Sequence, residues 1–261
     1  MGKVIALVNQ KGGVGKTTSS INLAASLGVL KRKALLVDLD PQGNCTTGLG
    51  IAKGEYKNSI YEMMLDKATL EETVIKTKFK NLSILPATIN LAGIEIELVE
   101  MSRNIPGFNM GGQLKKYLDI AKEEYDYIII DCPPSLGILT TNALTAADSV
   151  LIPVQCEFFA LEGIAQLINT ILLAQKNLNP NLDIEGVLLT MLDSRTCLGL
   201  EVVEDIRSYF KEKVYDTIIP RLVKISEAPS HGKPIIYYAS DHKGSEAYLS
   251  LAKEVIVRNG Q

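Results

Sequence analysis

At 261 residues the chain exceeds the usual size of one domain, although a single large α/β domain still accommodates it. Hydrophobic residues supply 46% and charged residues 22%, a composition with ample core that excludes a largely disordered chain. The net charge of −3 excludes a uniformly basic nucleic-acid coat, so any contact with DNA has to come from a local patch.

Short, β-branched-rich apolar runs alternate with helical patterns. Strands are expected at Lys3–Val8, Ala34–Val37, Leu82–Leu85, Tyr127–Ile130, Val150–Val154, Ile184–Thr190 and Thr217–Ile219. Their nearly continuous apolar character suits parallel strands buried on both faces. Helices are expected at Lys16–Leu30, Leu91–Met101, Gly112–Glu124, Leu136–Ala146, Ala160–Lys176, Leu200–Lys211 and Ser245–Val257. The alternation predicts a doubly wound α/β fold: a mostly parallel sheet, flanked by helices, with right-handed crossovers. Ile51–Lys80 is the least regular stretch and is expected to carry short helices outside the sheet. With no internal repeat, low-complexity tract or linker, residues 1–261 read as one domain.

The sharpest motif, Lys11-Gly12-Gly13-Val14-Gly15-Lys16-Thr17-Thr18, follows the first strand and opens the first helix. Glycines let the backbone curl so that successive N–H groups point inward around phosphate oxygens, and the helix N-terminus adds partial positive charge. Residues Gly12 to Thr18 are therefore the expected phosphate cradle. Lys16 brings a full charge to the β/γ-phosphates, and the Thr17 hydroxyl suits Mg²⁺. A dinucleotide-binding G-x-G-x-x-G fails here, because Thr18 stands at its last glycine. In the common G-x-x-x-x-G-K-T loop the first glycine would fall at Gln10, and a second lysine, Lys11, precedes the glycines instead.

Two carboxylate-bearing segments complete the motif set. Val37-Asp38-Leu39-Asp40-Pro41 ends the second strand, where the carboxyl ends of parallel strands face a ligand crevice. Asp38 and Asp40 would point the same way if that strand persisted; otherwise Asp40 initiates a turn before Pro41. Tyr127-Ile128-Ile129-Ile130-Asp131 is a strand ending in an acid, a Walker B-like signal in which Asp131 holds Mg²⁺ directly or through water. The Pro133-Pro134 pair stiffens the loop that follows. His231 and His242 lie far downstream, so no Ser–His or metal–His cluster competes.

With Lys11 ahead of its glycines, the loop resembles the deviant Walker A family, which includes ParA/Soj, MinD, the nitrogenase iron protein and the arsenite-pump ATPases. The resemblance extends through DLDPQGNCTTGLG (38–50), DCPPSLG (131–137), IPVQCEFFALEG (152–163), VLLTMLDSRT (187–196) and IPRLVKISEAPSHGKP (219–234), all of which look like the short, chromosomal Soj type of ParA. It implies a P-loop ATPase using ATP and Mg²⁺. Lys11 would reach across an ATP-dependent homodimer to the partner's nucleotide, Asp40 would orient the attacking water, and Thr17, Asp40 and Asp131 would serve the metal. Pro220 would pack on adenine. The absence of a guanine-reading N-K-x-D favours that base.

By the same resemblance Arg195 matches a DNA-contact arginine, with Arg221 and Lys224 as further candidates. The implied function is nonspecific binding of double-stranded DNA in the ATP state, driving chromosome or plasmid partitioning, with a ParB-type protein stimulating hydrolysis. The chain departs from the family pattern at Leu222, where Asn is common, and at Lys224, where Arg is usual. Strand one begins almost at Met1, so the N-terminal helix-turn-helix of longer plasmid ParA proteins is not expected. A MinD-like, membrane-cycling division regulator is the alternative, but it would want a C-terminal basic amphipathic extension. An iron–sulfur reductase would need a second cysteine matching Cys132.

No run approaches the ~18 consecutive apolar residues of a membrane span, and the first residues suit neither a signal peptide nor a myristoylation site. Cys45, Cys132, Cys156 and Cys197 are scattered without a C-x-x-C pair, as reduced cytosolic thiols are. A cytoplasmic, nucleoid-associated protein with no membrane partner is expected.

Overall fold

The computed structural model describes residues 1–157 and 160–260, with the side chains of 160–163 outside that description, so Phe158 and Phe159 of the 152–163 segment lie outside the described residues. Seven strands form one sheet: β1 (Lys3–Leu7), β2 (Ala34–Asp38), β3 (Ile75–Lys76), β4 (Leu82–Leu85), β5 (Tyr127–Asp131), β6 (Ser149–Gln155) and β7 (Asp183–Thr190). Their order is β3-β4-β2-β5-β1-β6-β7, and every pairing is parallel except the short β3–β4 edge. This is the expected doubly wound, mostly parallel sheet.

The longer helices are α1 (Lys16–Val29), α5 (Ile94–Asn104), α6 (Gln113–Ala121), α7 (Ile138–Ala146), α8 (Ala160–Asn177), α9 (Cys197–Phe210) and α12 (Lys243–Arg258). Shorter ones are α2 (Asn44–Gly48), α3 (Ile60–Met64), α4 (Leu70–Thr73), α10 (Val223–Glu227) and α11 (Ile235–Tyr238). Strand side chains alternate between two cores. Val4, Ala6, Ile128 and Ile130 pack on the face covered by α5 to α9, whereas Ile5, Leu7, Tyr127 and Ile129 pack under α1 and α12. Each fully buried Val, Leu or Ile among them contributes about 1.5–3 kcal/mol, so both faces hold the sheet.

Four differences from the sequence expectation have physical causes. Thr217–Ile219 is not a strand: Glu254 of α12 accepts the Asp216 and Thr217 amides at 2.9 and 3.1 Å, and Pro220 has no N–H, so besides the Ile219 amide donating to Leu189 O at 2.9 Å there are isolated bridges, from Val214 to Val187 within β7 and from Pro220 to Leu192 beyond it. The helix expected at Leu91 is delayed to Ile94, behind a 3-10 turn over Ile89–Gly93. Helix α9 starts three residues earlier than Leu200, where the Thr196 hydroxyl accepts the Gly199 amide. The 51–80 region carries short helices as expected, closed by capping boxes at Ser59/Glu62 and Thr69/Glu72, but it also adds β3 to the sheet.

Candidate functional site

The C-terminal ends of β1, β2 and β5 open onto one crevice beside β1, where chain order reverses direction across the sheet. The glycine loop leaves β1 and enters α1 there. Gly13 and Gly15 sit at φ +77° and +87°, left-handed values that glycine adopts without strain, and a Cβ on Gly12 or Gly13 would meet nothing. Lys16 folds inward, 7% exposed, its Nζ donating to Lys11 O at 3.2 Å. Burial lowers its pKa, against the raising pull of Asp131.

Beneath the loop, Asp131 is wholly buried and accepts three hydrogen bonds. Thr17 Oγ1 donates to Oδ2 at 2.7 Å, Ser20 Oγ to Oδ1 at 3.1 Å, and Cys45 Sγ to Oδ2 at 3.3 Å. Burial still pushes its carboxyl up to about 6. Neighbouring Asp38 accepts the Thr46 amide and hydroxyl at 2.8 and 2.7 Å through Oδ2, while its buried Oδ1 has no partner among the described residues. Burial, then the charge of Asp131, raises Asp38 to about 7. One ligand atom each from Asp38, Cys45 and Asp131 lies within 4.8 Å of the others.

The sequence pairing of Asp38 with Asp40 is corrected. Strand β2 ends at Asp38, which faces the interior, whereas Asp40 stands at the cleft rim in a turn with the Gln42 amide on its Oδ1 at 2.9 Å. An open cleft of about 250 Å³ gathers Gly12, Gly13, Gly15, Lys16, Thr17, Thr18 and Asp40. Val14 stays out of it, buried, with its carbonyl accepting from Thr190 Oγ1 at 2.9 Å. Lys11 is also outside the lining; its Nζ pairs with Glu157 Oε2 at 3.8 Å. Through Gly15, Thr18 and Met191 the cleft continues into a second hollow of about 140 Å³. Pro220, Leu222, Ile225 and Tyr248 line that hollow.

Asn44, Cys45, Ser20 and Met191 were not anticipated. Asn44, Cys45 and Met191 lie in segments that carry the resemblance, but no site role was read from them or from Ser20; they reach the site because α1, α2 and the end of β7 converge on it. The exposed arginine Arg195 is held by a bidentate pair to Asp193, at 2.8 and 2.7 Å, and that hydrogen bonding holds the Asp193 carboxyl down to about 2. Arg221 is exposed at the wall of the second hollow, its amide donating to Leu192 O at 3.0 Å. Lys224 is exposed on α10, beside a separate hollow with Tyr237 and His242.

Residues 2–184 match the family described as AAA domain. The sporulation initiation inhibitor protein Soj of Bacillus subtilis is 58% identical over 255 residues, covering 98% of each chain. The chromosome partitioning protein ParA of Myxococcus xanthus is 52% identical over 259 residues, 99% of this chain and 89% of its own. This chain belongs to the Soj/ParA family. Among solved structures, the cobyrinic acid a,c-diamide synthase of Mycobacterium smegmatis with bound ADP and magnesium superimposes with a TM-score of 0.84 at 35% identity, covering 100% of this chain and 97% of that one.

The residues present suit a magnesium nucleotide. The loop leaves open space where side chains would block phosphates, a lysine is turned inward, and Asp131, which accepts from Thr17, lies grouped with Asp38, whose Oδ1 has no partner among the described residues. Among the described residues, no helix is long and apolar enough to cross a membrane.

Proposed function

We propose that the chain is an ATP-dependent, dimerising ATPase that holds DNA without reading its sequence and drives chromosome or plasmid partitioning. ATP and Mg²⁺ are its cofactors, a ParB-type protein stimulates its hydrolysis, and residues 1–261 act as one P-loop domain in the cytoplasm. The observation that carries this reading is the contrast between the two loop lysines. Lys16 is buried in its own cleft, whereas Lys11 stays outside the lining, half-exposed and tethered only by a long pair to Glu157. A lysine placed in that way is available to a partner's nucleotide.

The amides of Gly12 to Thr18 cradle phosphates and Lys16 neutralises their charge. Thr17, Asp131 and Asp40 would hold magnesium, which supplies charge neutralisation at the transferring phosphoryl group. The Gln42 amide on Asp40 fixes the carboxylate that orients the attacking water. Pro220 lines the hollow that takes adenine, with Leu222 offering apolar packing there. Arg195, Arg221 and Lys224 form the DNA patch; a phosphate has to compete with Asp193 for the Arg195 guanidinium, which makes binding weak per subunit and salt-sensitive. Dimerisation makes the patch bivalent and so couples DNA affinity to ATP.

Binding to an arbitrary duplex with ATP, ADP or no nucleotide, at stepped salt, tests the reading. The expected result is much tighter binding with ATP, lost in Lys16→Ala and Arg195→Ala. ATP that binds without raising DNA affinity overturns it.

A further inference from the structure

Asp38, Cys45 and Asp131 meet in the interior beneath the glycine loop, and the proposed nucleotide chemistry uses only the last of them. Their meeting follows from the sheet. Asp38 and Asp131 close adjacent parallel strands and stand opposite each other in register, so both side chains leave the same face. Helix α2 follows the Asp40 turn, with Gly43 at φ +66° bending the chain back, and its second residue is Cys45. Cys45 Sγ donates to Asp131 Oδ2 at 3.3 Å. All three residues are 0% exposed.

As a hydrogen-bond network the trio is incomplete. The Thr46 amide and hydroxyl both donate to Asp38 Oδ2, and that hydroxyl is itself fixed by the Ala87 amide at 3.2 Å. The other oxygen, Oδ1, is buried with no partner among the described residues. An unmet buried acceptor costs about 1–3 kcal/mol, and a second carboxylate beside it adds repulsion. A cation would relieve both. One ligand atom from each residue lies within 4.8 Å of the others, so a common centre falls no farther than about 2.8 Å from each, as in an equilateral triangle of that side. Zinc takes thiolate sulfur at ~2.3 Å and carboxylate oxygen at ~2.0–2.2 Å, so shifts of under ~1 Å close the shell.

We propose that Asp38, Cys45 and Asp131 form a closed site for a thiophilic divalent cation of the zinc class, whose occupancy excludes the magnesium nucleotide. A thiolate in the ligand set selects against magnesium, which prefers six oxygens and keeps several waters. One sulfur with two carboxylates suits zinc, with a water in the fourth position. As the metal–sulfur bond forms, the thiol proton leaves to solvent. The unpartnered Oδ1 then gains a partner, and the cation offsets the crowded negative charge. Entry is from the nucleotide side: Thr17 and Asn44 line the open cleft, one bonded to Asp131 and the other preceding Cys45 in the chain. The exclusion rests on the proposed function, in which Thr17 and Asp131 serve magnesium; a cation that draws Asp131 toward Asp38 takes its oxygen from Thr17. The three-residue site itself does not depend on that reading.

The test is cobalt titration of the full chain, purified reduced and metal-free. One equivalent of Co²⁺ is expected to give thiolate-to-metal charge transfer in the near ultraviolet and the strong visible bands of tetrahedral cobalt, both removed by Zn²⁺. Cys45→Ala should lose the charge-transfer band, and Asp38→Asn should bind cobalt at least tenfold more weakly, with thermal melting confirming that each folds. Cys197→Ser, which removes the exposed thiol, should keep the band. ATP with magnesium in excess should bleach the band in the parent but not in Lys16→Ala, which keeps all three ligands and loses the nucleotide. That contrast separates exclusion from chelation by ATP. No band at one equivalent, or a band that survives Cys45→Ala, overturns the site. So does loss of the band in Cys197→Ser, which assigns the cobalt to a surface thiol. A band that persists while MgATP binds overturns the exclusion. If the parent binds no MgATP, the proposed function fails, while the cobalt arm still decides the site.

Discussion

Asp38 is the residue whose environment is least compatible with its charge. Its carboxyl is wholly buried, one oxygen is unpartnered, and Asp131 lies next to it, so it is raised to about 7. An unfolded aspartate titrates near ~3.9. Between those values the folded state keeps a proton that the unfolded state has released, so stability without magnesium or nucleotide falls as pH rises through the window. An Asn keeps an oxygen for the Thr46 donors and carries no charge. Asp38→Asn is therefore expected to be more stable than the parent at pH 8, by on the order of 2 kcal/mol, and the two should converge near pH 4. The variant keeps only a shallower fall, from Asp131 at about 6. Urea melts in chelator across that range check it; a parallel pH profile for both proteins defeats it. The motif identified Thr17 and Asp131, and the structure joins them at 2.7 Å. It could not separate Asp38 from Asp40, because that depends on where β2 stops.

At the level of elements, the legible ones were those whose own periodicity decides them. Strand β4 falls at its expected limits, bounded by Leu82 and Leu85, and α1, fourteen residues long, ends one residue short of the expected position. Thr217–Ile219 misled because Glu254, 37 residues later, claims the Thr217 amide and the Asp216 amide before it, which no local pattern announces. Gly28 exposes the same limit as a mutational sign. Near the end of a helix, Gly→Ala ordinarily stabilises by up to about 1 kcal/mol. Here the added methyl would lie 2.3 Å from the backbone oxygen of Lys80, so α1 or the β3–β4 turn must move. Gly28→Ala is expected to destabilise by about 2 kcal/mol or more, read as a lower urea midpoint with unchanged slope. A raised midpoint would show that the turn yields freely.

For the whole molecule, the fold places the glycine-loop cleft at one end of the sheet, and the proposed function assigns assembly to residues at the rim of that end. Lys11 is the discriminating case, because the reading that sends it to another subunit rests on the resemblance. Among the described residues its side chain pairs with Glu157, and it lines neither part of the cleft, so removing it should leave the monomer's own nucleotide contacts intact. The exposed pair contributes little, about 0–1 kcal/mol. Lys11→Ala is therefore expected to bind MgATP within about threefold of the parent, a change below 1 kcal/mol, while remaining monomeric in ATP by light scattering. It should also lose ATP-gated DNA binding, since bivalency is gone. Lys16→Ala, by contrast, should lose nucleotide binding itself. If Lys11→Ala weakens MgATP as severely as Lys16→Ala does, Lys11 serves its own cleft and the two lysines do not divide the work between subunits.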